Sequence, residues 1–372
     1  MNDIISRKKA HLDICINSDV ESNKSFFSSI FLSHYSLPEL DYEAIDTSSE
    51  FLGQKIRYPI FISCMTGGSE EAYSMNKKFA KVAEEFGIPV GLGSIRVLLE
   101  NPRLLAEFQL KKIAPSVPLL ANLGAVQLLD MKNTTVLDSV LSELQADALV
   151  FHLNPAQELC QRHGARNFQG IQEALREYIA KSTVPVIVKE TGMGLHPSEM
   201  QYLLGIGARY VDIAGAGGSN WAKIELMNNA QGYHYQQEQA FASYDHWGHP
   251  SVLLLLLSYG MEGRLASGGI RNARDVLISL VLGSKAVGIA LPIVRAAAKS
   301  IEVLREYISM LTQQLKQFML LSKARNVKEV SALPFWMNAD LQFALLSYSR
   351  AMGLVLPEKV NKQVLRSNTT WN

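Results

Sequence analysis

Short apolar runs, half of them led by proline and most closed by a polar residue or glycine, alternate with amphipathic segments along the middle of the chain. The runs fall at 59–64, 89–94, 118–124, 148–154, 185–190 and 210–215, then from 264 into two glycines, and at 286–290. Apolar positions at helical spacing lie between them, at 75–86, 102–112, 134–145, near 167–181, 197–206 and 272–282. An excursion at 216–262 breaks the rhythm after the sixth run. Continuous apolar runs of strand length separated by helical patterns predict parallel strands buried on both faces. Eight such units predict closure into an α/β (β/α)8 TIM barrel. A doubly wound open sheet is the alternative, but it gives no reason for polar residues at so many strand ends.

The barrel is assigned to 56–320, preceded by an N-terminal arm or lid at 1–55 and followed by a C-terminal helical extension at 321–372. The extension carries an apolar helical pattern at 341–352. In the arm, Arg7, Lys8 and His11 share one helix face, read either as a solvated face or as a cationic lid over an anionic ligand. The chain of 372 residues is 48% hydrophobic and carries a net charge of +1, so no charge bias recruits nucleic acid or acidic membranes. The three cysteines, Cys15, Cys64 and Cys160, are far apart and form no CxxC pair, which argues for a reducing compartment. No apolar run approaches the roughly 20 residues of a spanning helix, and the N-terminus lacks an apolar signal core. A soluble cytoplasmic protein is expected.

The strand ends carry the chemistry: Thr66, Ser94, Asn122, His152 with Asn154, Lys189, the 215–220 loop, Gly269 with Arg271, and Ala290. In a barrel all of them face one mouth. Lys189 closes the run Val-Ile-Val, so it either pairs with an anion or lies along the rim with its ammonium in water. Gly268-Gly269-Ile270-Arg271 followed at once by a helical pattern suits a phosphate, because glycine allows close approach and the helix start presents amides. Glu158 alone suits Mg²⁺ only with help from substrate phosphates and waters. No HExxH, GxSxG or GxxxxGK[ST] is present, so the familiar hydrolase and NTPase chemistries have no foothold.

Taken together, Arg7-Lys8 with His11, Met65-Thr66-Gly67-Gly68, Gly93-Ser94-Ile95-Arg96, His152-Leu153-Asn154 with Gln157-Glu158, and Lys189-Glu190 resemble the flavin-dependent type 2 isopentenyl-diphosphate isomerases. The likeness continues through the run Asp212 to Trp221, Gly268-Gly269-Ile270-Arg271 and Ala290-Leu291-Pro292, and spans residue 6 to about 330. The resemblance implies FMN held by Met65, Thr66, Gly67, Ser94, Asn122, Lys189 and Ser219, with its phosphate on Gly269, Ile270, Arg271, Ala290 and Leu291. It implies an allylic diphosphate substrate held by Arg7, Lys8, Ser94, Arg96, His152, Asn154 and Gln157, with Mg²⁺ at Glu158. Gln157, His11 and Lys189 are then the catalytic side chains, and NADPH keeps the flavin reduced. It also implies a homo-oligomer, tetramer or octamer. Two departures stand out: the family's usual run after Gln161 reads Arg162-His163-Gly164-Ala165 here, and Ser219 replaces a threonine. An FMN-dependent oxidoreductase of the 2-hydroxy-acid oxidase type is the competing reading. It needs a histidine base beside arginines, and 216–262 offers His246 and His249 but no arginine beside them. A flavin- or phosphate-binding barrel without catalysis is the third.

Overall fold

The structure, a computed structural model, describes residues 2–22, 25–131, 133–229 and 234–369; the segment 230–233 of the long excursion lies outside them. Eight parallel strands form one sheet: Ile60–Ile62, Val90–Ser94, Leu119–Gly124, Ala148–Leu153, Val186–Glu190, Tyr210–Asp212, Arg264–Leu265 and Val287–Ile289. The first strand pairs with both the second and the eighth. A parallel bridge from Ala266 to Val287 joins the seventh to the eighth, so the sheet closes into a barrel. The open-sheet alternative is excluded by that closure.

Helices follow the strands, and some are fixed at their starts by side-chain caps. Ser69 accepts from Ala72 N ahead of Glu70–Phe86, and Asn272 accepts from Asp275 N ahead of Ala273–Val281. The patterns at 134–145, 167–181, 197–206 and 341–352 appear as Thr135–Leu144, Ile171–Lys181, Pro197–Gly205 and Ala339–Ala351. The expected helix at 102–112 is a correction. It breaks into Pro102–Leu104, Leu105–Phe108 and Leu110–Lys112, with Gln109 at ψ 61° leaving the helical region between them. Tertiary anchors override its periodicity: Phe108 and Leu110 are buried, and Lys111 Nζ is held by Val117 O at 2.8 Å and Asp147 Oδ2 at 2.8 Å.

The barrel interior is packed by inward residues such as Phe61, Leu120, Val150, Ile187, Tyr210 and Leu265. Its floor is closed by a hairpin, Ser49–Phe51 with Gln54–Ile56. Phe51 is fully buried there, its ring 5.3 Å from that of Tyr210 and 5.9 Å from that of Phe61. The arm begins with a helix, Asn2–Asn17, and its strand Ile30–Leu32 pairs antiparallel with Phe335–Met337 of the extension. Arm and extension are thus hydrogen-bonded to one another outside the barrel. Among the described residues no helix is long and apolar enough to cross a membrane.

Candidate active site

Side chains alternate across a strand, so each interior residue is followed two positions later by another on the same face. Leu120 is followed by Asn122, Val150 by His152, Ile187 by Lys189, Tyr210 by Asp212 and Leu265 by Ser267. The apolar floor therefore carries a polar layer at the strand ends. Register places His152 opposite Lys189, and Lys189 opposite Asp212. Asn122 Oδ1 lies 3.0 Å from His152 Nδ1. Burial, and then the charges of Lys189 and Lys8, hold the His152 imidazole down to about 3, so the ring is neutral. Lys189 is buried and donates to Glu190 O at 2.5 Å. Burial raises the Asp212 carboxyl, against the opposing pull of Lys189 and of the hydrogen bonds from Ser267 Oγ, at 2.7 Å, and Ala214 N. Glu190 faces away from the mouth and accepts from the amides of Gly192, Met193 and Gly194, which ties down the loop after the fifth strand.

Above this layer opens a cavity of about 230 Å³. One wall is a backbone cradle. Gly268 and Gly269 sit at φ +89° and +80°, where a side chain is strained, and a Cβ would stand 2.1 Å from Gly215 O or 2.6 Å from Gly217 O. The amides of Gly269 and Ile270 have no partner among the described residues. They lie at the start of Ala273–Val281, beside the start of Leu291–Lys299 behind Ala290. Unpaired amides ahead of one helix and beside the start of another, lined by glycines, fit the phosphate of FMN. Met65, Thr66, Gly67, Ser94, Asn122, Lys189 and Ser219 line the same cavity, leaving an opening against the polar layer for a planar ring.

The opposite wall is cationic and amide-rich. Arg7 and Lys8 reach in from the arm helix and Arg96 from the second strand's end. Lys8 Nζ donates to Ser94 O at 3.3 Å. Burial, with Arg7 and Arg96 beside it, lowers the Lys8 ammonium from 10.5 to about 8, and Glu100 opposes the shift. Pro155–Cys160, a short helix after the fourth strand, places Gln157 and Glu158 at the rim. Asn154 Nδ2 donates to Gln157 Oε1 at 2.9 Å and to Glu158 Oε1 at 3.3 Å. Gln157 Nε2 donates to Glu225 Oε1 at 2.8 Å, and His11 Nε2 stands 3.1 Å from the same oxygen. The departing loop after Gln161 folds back onto the carboxylate: Ala165 N donates to Glu158 Oε2 at 2.7 Å. A Cβ at Gly164 would lie 2.0 Å from Glu158 O, so glycine is required where the chain departs. Among the described residues no group of three His, Cys, Asp or Glu forms a closed metal site. A divalent ion at Glu158 would share its shell with substrate oxygens and water, which suits Mg²⁺.

Every residue assigned from the sequence to the flavin, the diphosphate, the metal or catalysis lines this one cavity. Residues 263–336, which include the cradle, match the family model described as FMN-dependent dehydrogenase. The chain is 36% identical over 342 residues to the isopentenyl-diphosphate delta-isomerase of Borreliella afzelii (strain PKo), covering 91% of this chain and 95% of that protein. It is 37% identical over 331 residues to the protein of the same name from Rickettsia akari (strain Hartford), covering 88% and 96%. The chain belongs to the isopentenyl-diphosphate delta-isomerase family. A mandelate oxidase solved with a monooxide FMN adduct shares the fold, with a TM-score of 0.60 at 16% identity over 90% of this chain and all of that one. The likeness to the oxidase stops at the fold. The rings of His196 and Tyr348 each lie 6.0 Å from that of His249, and neither His246 nor His249 lines the cavity.

Three features of this family member escape sequence reasoning. Glu225 is fully buried, between His11 and Gln157, and its Oε2 has no partner among the described residues. It sits on Trp221–Asn228, whose buried face includes Lys223 as well, so no apolar period flags it. Asp212, 1% exposed, backs Lys189 from the sixth strand. Glu21 of the arm binds Arg271.

Proposed function

We propose that this chain converts isopentenyl diphosphate to dimethylallyl diphosphate, with FMN kept reduced by NADPH and Mg²⁺ carried at Glu158. The observation that supports the reading is one mouth lined both by a glycine cradle with unpaired amides and by a cluster of cations and amides. The glycine cradle suits a monophosphate, and the cluster of Arg7, Lys8 and Arg96 with His152, Asn154 and Gln157 suits a diphosphate. Reduced FMN, when bound, supplies an electron-rich ring that can exchange a proton and stabilise neighbouring positive charge.

The protein's share is position and field. Arg7, Lys8 and Arg96 neutralise the diphosphate and fix the alkenyl tail over the polar layer. Lys189 lines the cavity at the strand-five end, where its positive charge would favour the anionic form of a bound reduced flavin. Gln157 is held at both ends of its amide, so it presents a fixed face to the tail. His11 on the arm closes the mouth with Trp221, their rings 5.5 Å apart edge to face. That closure excludes water from the proton transfer. In this scheme 1–55 is a lid, 56–320 the FMN barrel and 321–372 the helical extension of a cytoplasmic tetramer or octamer.

The test is anaerobic turnover in D₂O with FMN, Mg²⁺ and NADPH. Deuterium-labelled dimethylallyl diphosphate, formed only when the flavin is reduced, supports the proposal. A protein that binds and reduces FMN but leaves isopentenyl diphosphate unlabelled refutes it.

A further inference from the structure

Beyond the helix that carries Arg7, Lys8 and His11, the arm is fastened to the mouth next to the glycine cradle. Asn220 N donates to Val20 O at 2.8 Å, and Ser22 N donates to Gly218 O at 2.9 Å. Gly217 N donates to Ser22 Oγ at 2.9 Å, and Glu21 bridges to Ser219 as a short antiparallel pair. A Cβ on Gly269 would stand 2.9 Å from Ser25 Cβ, so the arm lies directly on the cradle.

Glu21 is at the centre of this fastening. Its Oε2 accepts from Arg271 Nε at 3.0 Å and from Arg271 Nη2 at 2.7 Å. Its Oε1 accepts from Arg295 Nη1 at 3.4 Å. Arg295 also donates to the carbonyls of Cys15, at 3.1 Å, and Ser18, at 2.9 Å, just ahead in the arm. One arm carboxylate thus draws on the guanidinium of the residue that ends the cradle. An anion seated on Gly269 and Ile270 meets the same guanidinium and the same negative charge.

We propose that Glu21 is a positioning residue that clamps the arm over the mouth through Arg271 and Arg295, and that this clamp opposes the cofactor phosphate. The inference rests on the cradle being the FMN phosphate site. Coupling between two binding events is reciprocal, so phosphate in the cradle loosens the arm and the closed arm weakens FMN. Such a device lets the mouth open while flavin is being loaded and leaves closure to the diphosphate, which binds the arm's own Arg7 and Lys8.

The variants Glu21→Gln and Glu21→Asp, made in the full chain, test this. The expected results for Glu21→Gln run in opposite directions: the FMN Kd, read by quenching of flavin fluorescence, falls about two- to fivefold, the scale of a partly exposed charge interaction. At the same time trypsin cleaves faster after Lys9 and the KM for isopentenyl diphosphate rises. A general loss of structure would weaken both ligands together. Glu21→Asp keeps the charge on a shorter arm, so trypsin cleavage speeds up and the FMN Kd falls with it, by less than in Glu21→Gln. An FMN Kd that is unchanged or raised in Glu21→Gln overturns the clamp. A parent chain with no affinity for FMN overturns the functional reading and the clamp with it.

Discussion

If Lys8 holds the substrate diphosphate as proposed, binding is sensitive to pH in a range where lysines normally are not. Its ammonium is lowered from 10.5 to about 8 by burial first, then by Arg7 and Arg96, with Glu100 opposing. The groups facing it are those three, the neutral His152, and the carbonyl of Ser94 at 3.3 Å. With that value Lys8 is about nine-tenths charged at pH 7 and about one-tenth charged at pH 9. If the diphosphate binds the charged form, its affinity falls about tenfold between pH 7 and pH 9. At pH 8 each binding event takes up about half a proton. The assay is calorimetric titration of the FMN-loaded protein with isopentenyl diphosphate in two buffers of different ionisation enthalpy, alongside Lys8→Arg. Arginine stays charged throughout, so that variant loses the pH limb. Affinity independent of pH up to 9.5, or an identical limb in Lys8→Arg, refutes the reasoning. The stability linkage has its own sign. The unfolded chain keeps this proton to 10.5 and the folded chain releases it near 8, so folding stability rises with pH between the two.

Three further outcomes are expected. The His152 ring, held down to about 3, shows no titration by ¹⁵N NMR between pH 5 and 8. Only the unfolded chain protonates it below about 6.5, so its contribution to stability is lost as pH falls from there; His152→Asn removes that dependence. Gly269→Ala forces a Cβ to within 2.6 Å of Gly217 O at φ +80°, so FMN affinity measured by fluorescence falls about 5- to 30-fold. Phe51→Ala removes the ring that closes the barrel floor and lowers stability to urea by about 3–5 kcal/mol.

The barrel was legible because parallel strands buried on both faces leave a signal that no neighbour can disguise. Each apolar run, from the one containing Ile60 to the one containing Ile289, became a strand. Helix 102–112 misled because periodicity at a barrel corner competes with specific anchors, here Lys111 on Asp147 and the burial of Phe108. Arg264 is a second case. It is 1% exposed at the start of the seventh strand, satisfied by the carbonyls of Leu255, Met261 and Leu282 and by Ser258 Oγ. Nothing local marks an arginine for such a place.

The same contrast runs through the site. The residues lining the mouth sit at the end of a strand or just after it, so Lys189, Asn154 and Gln157 could be read one strand end at a time. Residues that hold those in place answer to partners far away in sequence: Glu225 lies 68 positions from Gln157, and Glu21 lies 250 positions from Arg271. A buried carboxylate is costly unless something compensates it, and that partner is fixed only when the barrel closes. The supporting groups are therefore products of the fold, while the groups they support are products of the strand.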